Sequence, residues 1–274
     1  MTTTLRPTEP LQQGADGTRS RHYRVCVNSR PVGELRLATH PVFGPGVARI
    51  SELRIDEADR GRGRGTVAAL AAEEVARGWG CGRIETTVPA SAERALALAT
   101  ALGYVERNRN MEKELPAEPP ALPPGSTGRR MTGPEFTAWE AYTRAEYVRS
   151  LVERGVPEEQ AGAKAEADHA ATLADGLATS DAVLSVLEAD GAVVGTLWVA
   201  LRGERAYVYD VEVAAAHRGH GHGRSLMLLA EAESRAAGFT GLGLNVFAGN
   251  TPAVRLYESL GYRATLFHLY KPLL

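Results

Sequence analysis

The chain has 274 residues, 31 lysines and arginines against 33 aspartates and glutamates, and a formal net charge of −2. That near balance leaves no electrostatic footprint for nucleic acid or an anionic membrane, and no apolar run is long enough to span a bilayer. An apolar share of 44% supplies packed cores, and the length suits two domains rather than one. The opening residues are polar and lack the apolar centre of a secretory signal, so cytoplasmic residence is expected. Cys26 and Cys81 flank apolar strand-like sequence and are expected to be buried core thiols, not a disulfide or metal ligands.

In chain order, a polar opening gives way to a first module over Tyr23–Leu115. It contains the cluster Arg60-Gly61-Arg62-Gly63-Arg64-Gly65. Residues 116–127 hold five prolines and read as a semi-rigid linker. The expected division is therefore 1–115, linker 116–127, and 128–274. Arg129–Ser180 has helical character. Ala182–Glu188 and Ala192–Leu201 alternate around Asp190-Gly191, a hairpin signal. Tyr207–Val213 is a third strand, followed by Arg218-Gly219-His220-Gly221-His222-Gly223. A helix is expected from Arg224 to Ala237, with Leu226, Met227, Leu229 and Ala230 on its apolar face. Gly241–Phe247 is a strand. Thr251–Leu260 is a helix, with Thr251 as N-cap, Pro252 in its first turn and Gly261 past its end. Ala264–Tyr270 is the last strand.

The two glycine clusters lie 158 residues apart, and at that offset Ile50–Tyr104 and Val208–Tyr262 align without a gap with 17 of 55 positions identical. This is an internal duplication. The second copy is preceded by about 50 residues with helical character, the first by roughly 20 polar ones. The N-terminal copy is expected to be trimmed by one or two helices.

A strand, a glycine-rich turn and a helix make an anion site. Glycines admit unusual dihedrals and close approach, and amides at the helix start point at the anion. The spacing is neither that of a nucleotide P-loop nor that of a dinucleotide fingerprint. It is Arg-x-x-Gly-x-Gly directly after a Val-x-Val strand. With Tyr209–Val213, Asn245–Asn250 and Leu256–Tyr262 in that order and spacing, the C-terminal module resembles the GNAT acetyltransferase superfamily. The N-terminal module resembles it more weakly.

The resemblance implies a mixed α/β fold in two tandem GNAT-like domains, each a mixed sheet whose central parallel strands splay around acetyl-CoA. Backbone groups of Val211 and Val213 would hold the pantetheine arm. Arg218, Gly219, His220, Gly221, His222, Gly223 and Arg224 would hold the pyrophosphate. Asn250 would contact the pantetheine region and Tyr257 would sit near the sulfur. The chemistry implied is direct N-acetyl transfer to a primary amine of a small molecule, peptide or protein, by a monomer or homodimer.

A neutral amine must attack, so a base is needed, and Asp210 and Glu212 are both candidates on one strand face. Tyr257 is either the proton donor to the leaving thiolate or a core residue. His217, His220 and His222 fit a turn over phosphate better than a metal site. Trp139, Glu140, Tyr142, Glu146 and Tyr147, with Trp198, are candidates for the acceptor pocket. At the constant offset Tyr257 corresponds to Ala99, Asn250 to Ala92 and Glu212 to Arg54. The N-terminal copy is thus expected to be catalytically silent. Leu53, Ile55, Arg60, Gly61, Arg62, Gly63, Arg64 and Gly65 remain a possible second cofactor site. The competing reading is a CoA or acyl-CoA sensor or scaffold without turnover, and another acyl donor such as succinyl-CoA stays open.

Overall fold

The computed structural model describes residues 2–273. Its elements, in chain order, are β1 (Thr3–Pro7), β2 (Gln12–Gln13), β3 (Arg19–Val27), β4 (Arg30–His40), β5 (Gly44–Ile55), α1 (Arg64–Gly78), β6 (Arg83–Pro89), α2 (Glu93–Ala101) and β7 (Val105–Glu114). There follow β8 (Ser126–Arg130), α3 (Gly133–Glu153), α4 (Glu158–Thr172), β9 (Ala182–Ala189), β10 (Ala192–Ala200), β11 (Ala206–Val213), α5 (His222–Ala236), β12 (Gly241–Phe247), α6 (Thr251–Ser259) and β13 (Arg263–Pro272). The architecture is mixed α/β. The chain divides into two compact units: unit 1 holds the residues up to Arg109 with those from Leu266 onward, and unit 2 is Asn110–Thr265. The proline-rich stretch lies inside unit 2, and its last two residues, Ser126 and Thr127, begin β8.

In unit 1 the strands follow the order β1-β3-β4-β5-β6-β13. The alternation that builds them is plain in β4, where Leu35 and Leu37 are buried and Arg36 between them is exposed. They pack with Ala68, Ala72 and Ala76 of α1 and with Leu269 and Leu273 from the distal end of the chain. Cys26 and Cys81 are both buried and free. Among the described residues no helix precedes β3, so the copy is short at its front.

In unit 2 the order is β7-β12-β11-β10-β9-β8. The Asp190-Gly191 turn has φ of 49° and 81°, the two positive values that a tight hairpin requires. Leu226, Met227, Leu229 and Ala230 of α5 enter a core that also takes Met111 and Leu115. On the opposite face, Trp139 of α3 and Leu173, just past the end of α4, pack with Leu184 and Val186. Thr132 and Glu135 form a reciprocal capping box at the start of α3.

The offset reveals an exchange. Residue for residue, β13 is the counterpart of β7. Yet unit 1 places β13 beside β6, and unit 2 places β7 beside β12. Each copy therefore carries the other's last strand. The buried charges obey the same rule. Lys271 Nζ lies 2.7 Å from Glu73 in unit 1, and Lys113 Nζ lies 2.7 Å from Glu231 in unit 2.

Candidate active site

The two central parallel strands separate at the same place in each unit. β5 and β6 pair from Val47↔Arg83 to Ile50↔Thr86. β11 and β12 pair from Ala206↔Leu242 to Val208↔Leu244. Ile50 and Val208 are counterparts. Beyond them the strands splay, leaving main-chain groups of β11 from Tyr209 onward without a β12 partner among the described residues.

A bulge sits at the start of each splay. Trp198 pairs with Asp210 and Val199 with Val208, so Tyr209 is the extra residue. In unit 1 the extra residue is Ser51. The bulge reverses the facing of everything after it. Val208, Val211 and Val213 all pack with the α5 core. Asp210 and Glu212 are turned to the opposite face, toward α3. There the Trp139 Nε1–H donates to Asp210 Oδ2 at 2.9 Å. The Tyr142 hydroxyl meets Glu212 Oε1 at 3.3 Å, as does Arg218 Nη2.

The glycine turns are built alike. Gly219 and Gly221 have φ of 84° and 86°, and Gly61 and Gly63 have 71° and 72°. At all four, nothing lies within 4 Å of where a Cβ would stand, so the conformation and not crowding requires glycine. This open cradle of amides at a helix start fits the diphosphate of a coenzyme A thioester. The third glycine of each turn has another reason. A Cβ on Gly223 would sit 3.2 Å from Leu256, and one on Gly65 would sit 3.3 Å from Leu98.

A cavity of about 810 Å³ joins these parts in unit 2. Asp210, Val211, Glu212, Val213, Arg218, Gly219, Gly221, His222, Gly223, Asn250 and Tyr257 all line it. His220 and Arg224 do not. His220 Nδ1 lies 3.3 Å from the His217 carbonyl, and Arg224 donates to Ser259 Oγ at 2.6 Å. Arg218 is braced by its Nε–H to the Val213 carbonyl at 3.1 Å. Asn250, not Thr251, caps α6, its Oδ1 accepting from the Ala253 amide at 3.2 Å. Tyr142 and Glu146 of α3 reach the cavity wall. Glu140 and Tyr147 instead face α4, bonded to His169 and Asp168.

Burial pushes Asp210 above the ordinary carboxylate range, Trp139 works against that, and nearby Glu212 adds to it. Tyr257 is 6% exposed, and burial together with the Asp210 charge pushes its hydroxyl up to about 12.

Unit 1 has its own cavity of about 670 Å³, which Leu53, Ile55, Arg60, Gly61, Gly63, Arg64 and Gly65 line. Arg62 is exposed on the turn. Arg64 is buried against Asp59, which Arg30 also holds at 2.8 Å. Glu52, the counterpart of Asp210, pairs with Arg36 at 3.1 Å. The Trp139–Asp210 bond and both bulges lay beyond sequence reasoning. The bulges could be recognised only by a strand register.

A profile of the acetyltransferase (GNAT) family matches residues 3–104 and 144–262. The chain belongs to this family, with two GNAT modules in tandem. Among solved structures it is similar to a GCN5-related N-acetyltransferase from Sphaerobacter thermophilus. The identity there is 19% and the TM-score 0.58, over 92% of this chain and 80% of that one. It is also similar to a tandem GNAT protein from the clavulanic acid biosynthesis pathway, with 20% identity and a TM-score of 0.50 over 95% and 85%. A GNAT-family acetyltransferase from Colwellia psychrerythraea follows at 12% identity and a TM-score of 0.53, over 92% and 84%. At such identities the likeness is one of fold. No curated protein matches. Among the described residues no helix is long and apolar enough to cross a membrane.

Proposed function

We propose that unit 2 transfers an acetyl group from acetyl-CoA to a primary amine. The observation that carries this reading is Tyr257 in one cavity with Asp210, the glycine turn and the splayed β11, where unit 1 has alanine. Acetyl-CoA lies along β11 with its diphosphate on Gly219–Gly223, and the acceptor enters from the side of Tyr142 and Glu146.

Asp210 is the base. It has no cationic partner among the described residues, and burial strengthens its hold on a proton. Glu212 is shared by Tyr142 and Arg218 and serves to position them. A backbone amide of β11 freed by the splay meets the carbonyl oxygen as negative charge grows on it. Tyr257 faces the departing sulfur. A hydroxyl near 12 does not fully surrender its proton to a thiolate of ordinary pKa about 8.5, so its contribution begins as a hydrogen bond. When Asp210 accepts the amine proton its charge vanishes. The repulsion that holds the Tyr257 proton then falls, and donation becomes easier as the thiolate leaves.

The test is release of free thiol from acetyl-CoA over a panel of primary amines. Wild type is expected to turn over at least one amine, and Tyr257→Phe to lose about 100-fold in kcat with little change in KM. Donor binding with no thiol release on any amine would instead support a sensor.

A further inference from the structure

The cavities of the two units share a splay and a glycine turn and differ in their floors. In unit 2 the floor is closed by Met227 and Tyr257, which are 0% and 6% exposed. Their counterparts in unit 1 are Ala69 and Ala99, and both line its cavity. With these side chains shortened, the unit 1 cavity reaches Thr86, Leu102 and Tyr104. The counterparts Leu244, Leu260 and Tyr262 are not on the unit 2 wall. The unit 2 cavity is lined instead by Tyr142, Thr143 and Glu146 of α3.

We propose that the unit 1 cavity binds a coenzyme A thioester whose acyl chain is apolar and longer than acetyl, and retains it without turnover. The amides around Gly61 and Gly63 take the diphosphate. The acidic group beside that turn, Asp59, is already neutralised by Arg30 and Arg64. The acyl chain runs down between β5 and β6 against Val88, Ala95, Leu98 and Ala99. Nothing there matches the unit 2 chemistry. Ala99 has no proton to give, Glu52 is engaged by Arg36 at 3.1 Å, and among the described residues no helix equivalent to α3 builds an acceptor wall. Each methylene buried in such a floor tightens binding about fourfold.

This concerns a different cavity from the proposed acetyl transfer, and thiol release reports that reaction separately. The test titrates the full chain with acetyl-CoA, octanoyl-CoA and octanoate, by calorimetry and by amide hydrogen exchange. Octanoyl-CoA is expected to protect Gly61–Thr66 and Leu98–Tyr104, with a dissociation constant at unit 1 at least tenfold below that of acetyl-CoA. Ala99→Tyr, which restores the unit 2 residue, is expected to abolish that preference. Protection confined to Gly219–Arg224, equal affinity for the two thioesters at unit 1, octanoate alone binding as tightly, or a preference that survives in Ala99→Tyr would each overturn the proposal. If Ala99→Tyr does not fold, the exchange pattern and the wild-type affinities decide the matter by themselves.

Discussion

Unit 1 and unit 2 hold the same turn, the same bulge and the same splay, yet the side chains they present to the cavity differ. Unit 2 fills its floor with Met227 and Tyr257 and turns Asp210 toward an indole N–H. Unit 1 has Ala69 and Ala99, and sets an arginine against Glu52. On the function proposed above, the turn that would cradle a diphosphate is separable from the groups that would move protons. A glycine turn marks a binding fold. The residues across the splay from it decide whether anything happens there.

The hardest test of this contrast is Asp210→Asn. It is expected to lower kcat/KM for amine acetylation about 1000-fold. With Asp210 as the proposed base, the wild-type rate is expected to fall as pH drops, because the base is lost on protonation. Burial raises the Asp210 pKa, so that loss begins at a higher pH than an ordinary carboxylate would give. Thiol release measured across pH reads both effects, and the contrast breaks if Glu52→Gln costs as much.

Next come the exchanged lysines. Lys271→Met leaves buried Glu73 with only Arg77, 4.0 Å away, and Lys113→Met leaves buried Glu231 with only the Tyr262 hydroxyl, 3.3 Å away. Each is expected to cost about 3 kcal/mol in urea unfolding. Hydrogen exchange should place the first loss in unit 1 and the second in unit 2. The reverse assignment would refute the exchange of strands.

A smaller effect is expected at the turn. Gly221→Ala forces a side chain into φ of 86°, and should raise KM for acetyl-CoA about tenfold in steady-state assays with little change in kcat. The smallest is Trp139→Phe. The indole N–H stabilises the Asp210 carboxylate, so its removal raises the Asp210 pKa further. The acid limb of the pH–rate profile is expected to move to higher pH.

Much of the fold could be read from local chemistry. Asp190-Gly191 specified its hairpin because two positive φ values in succession favour such a pair, and Gly219 and Gly221 specified theirs for a related reason. Tyr257 stood out because its counterpart is alanine. What escaped were facts that need a partner. The bulge at Tyr209 exists only relative to β10, and without it Asp210 would face α5. Trp139 and Asp210 are 71 residues apart, and nothing local joins them. Asn250 and Thr251 are both good caps, and the structure gives the role to Asn250, whose Oδ1 accepts from the Ala253 amide. The strand exchange was hidden by the duplication itself. Met111 and Leu115 match Leu269 and Leu273, and Lys113 matches Lys271, so either strand satisfies either core.

That exchange has a consequence for the order of events during translation. The ribosome completes β6 early, but β13, the strand that pairs with it from Arg83 to Pro89, emerges only after the whole of unit 2. Until then the earliest-made half of the protein presents an unpaired strand edge, the kind of surface that recruits other chains. A nascent chain stalled before Leu266 is expected to remain protease-sensitive in α1 and β6, and to gain protection there only when the distal strand arrives. The first module to be synthesised is thus among the last to finish folding.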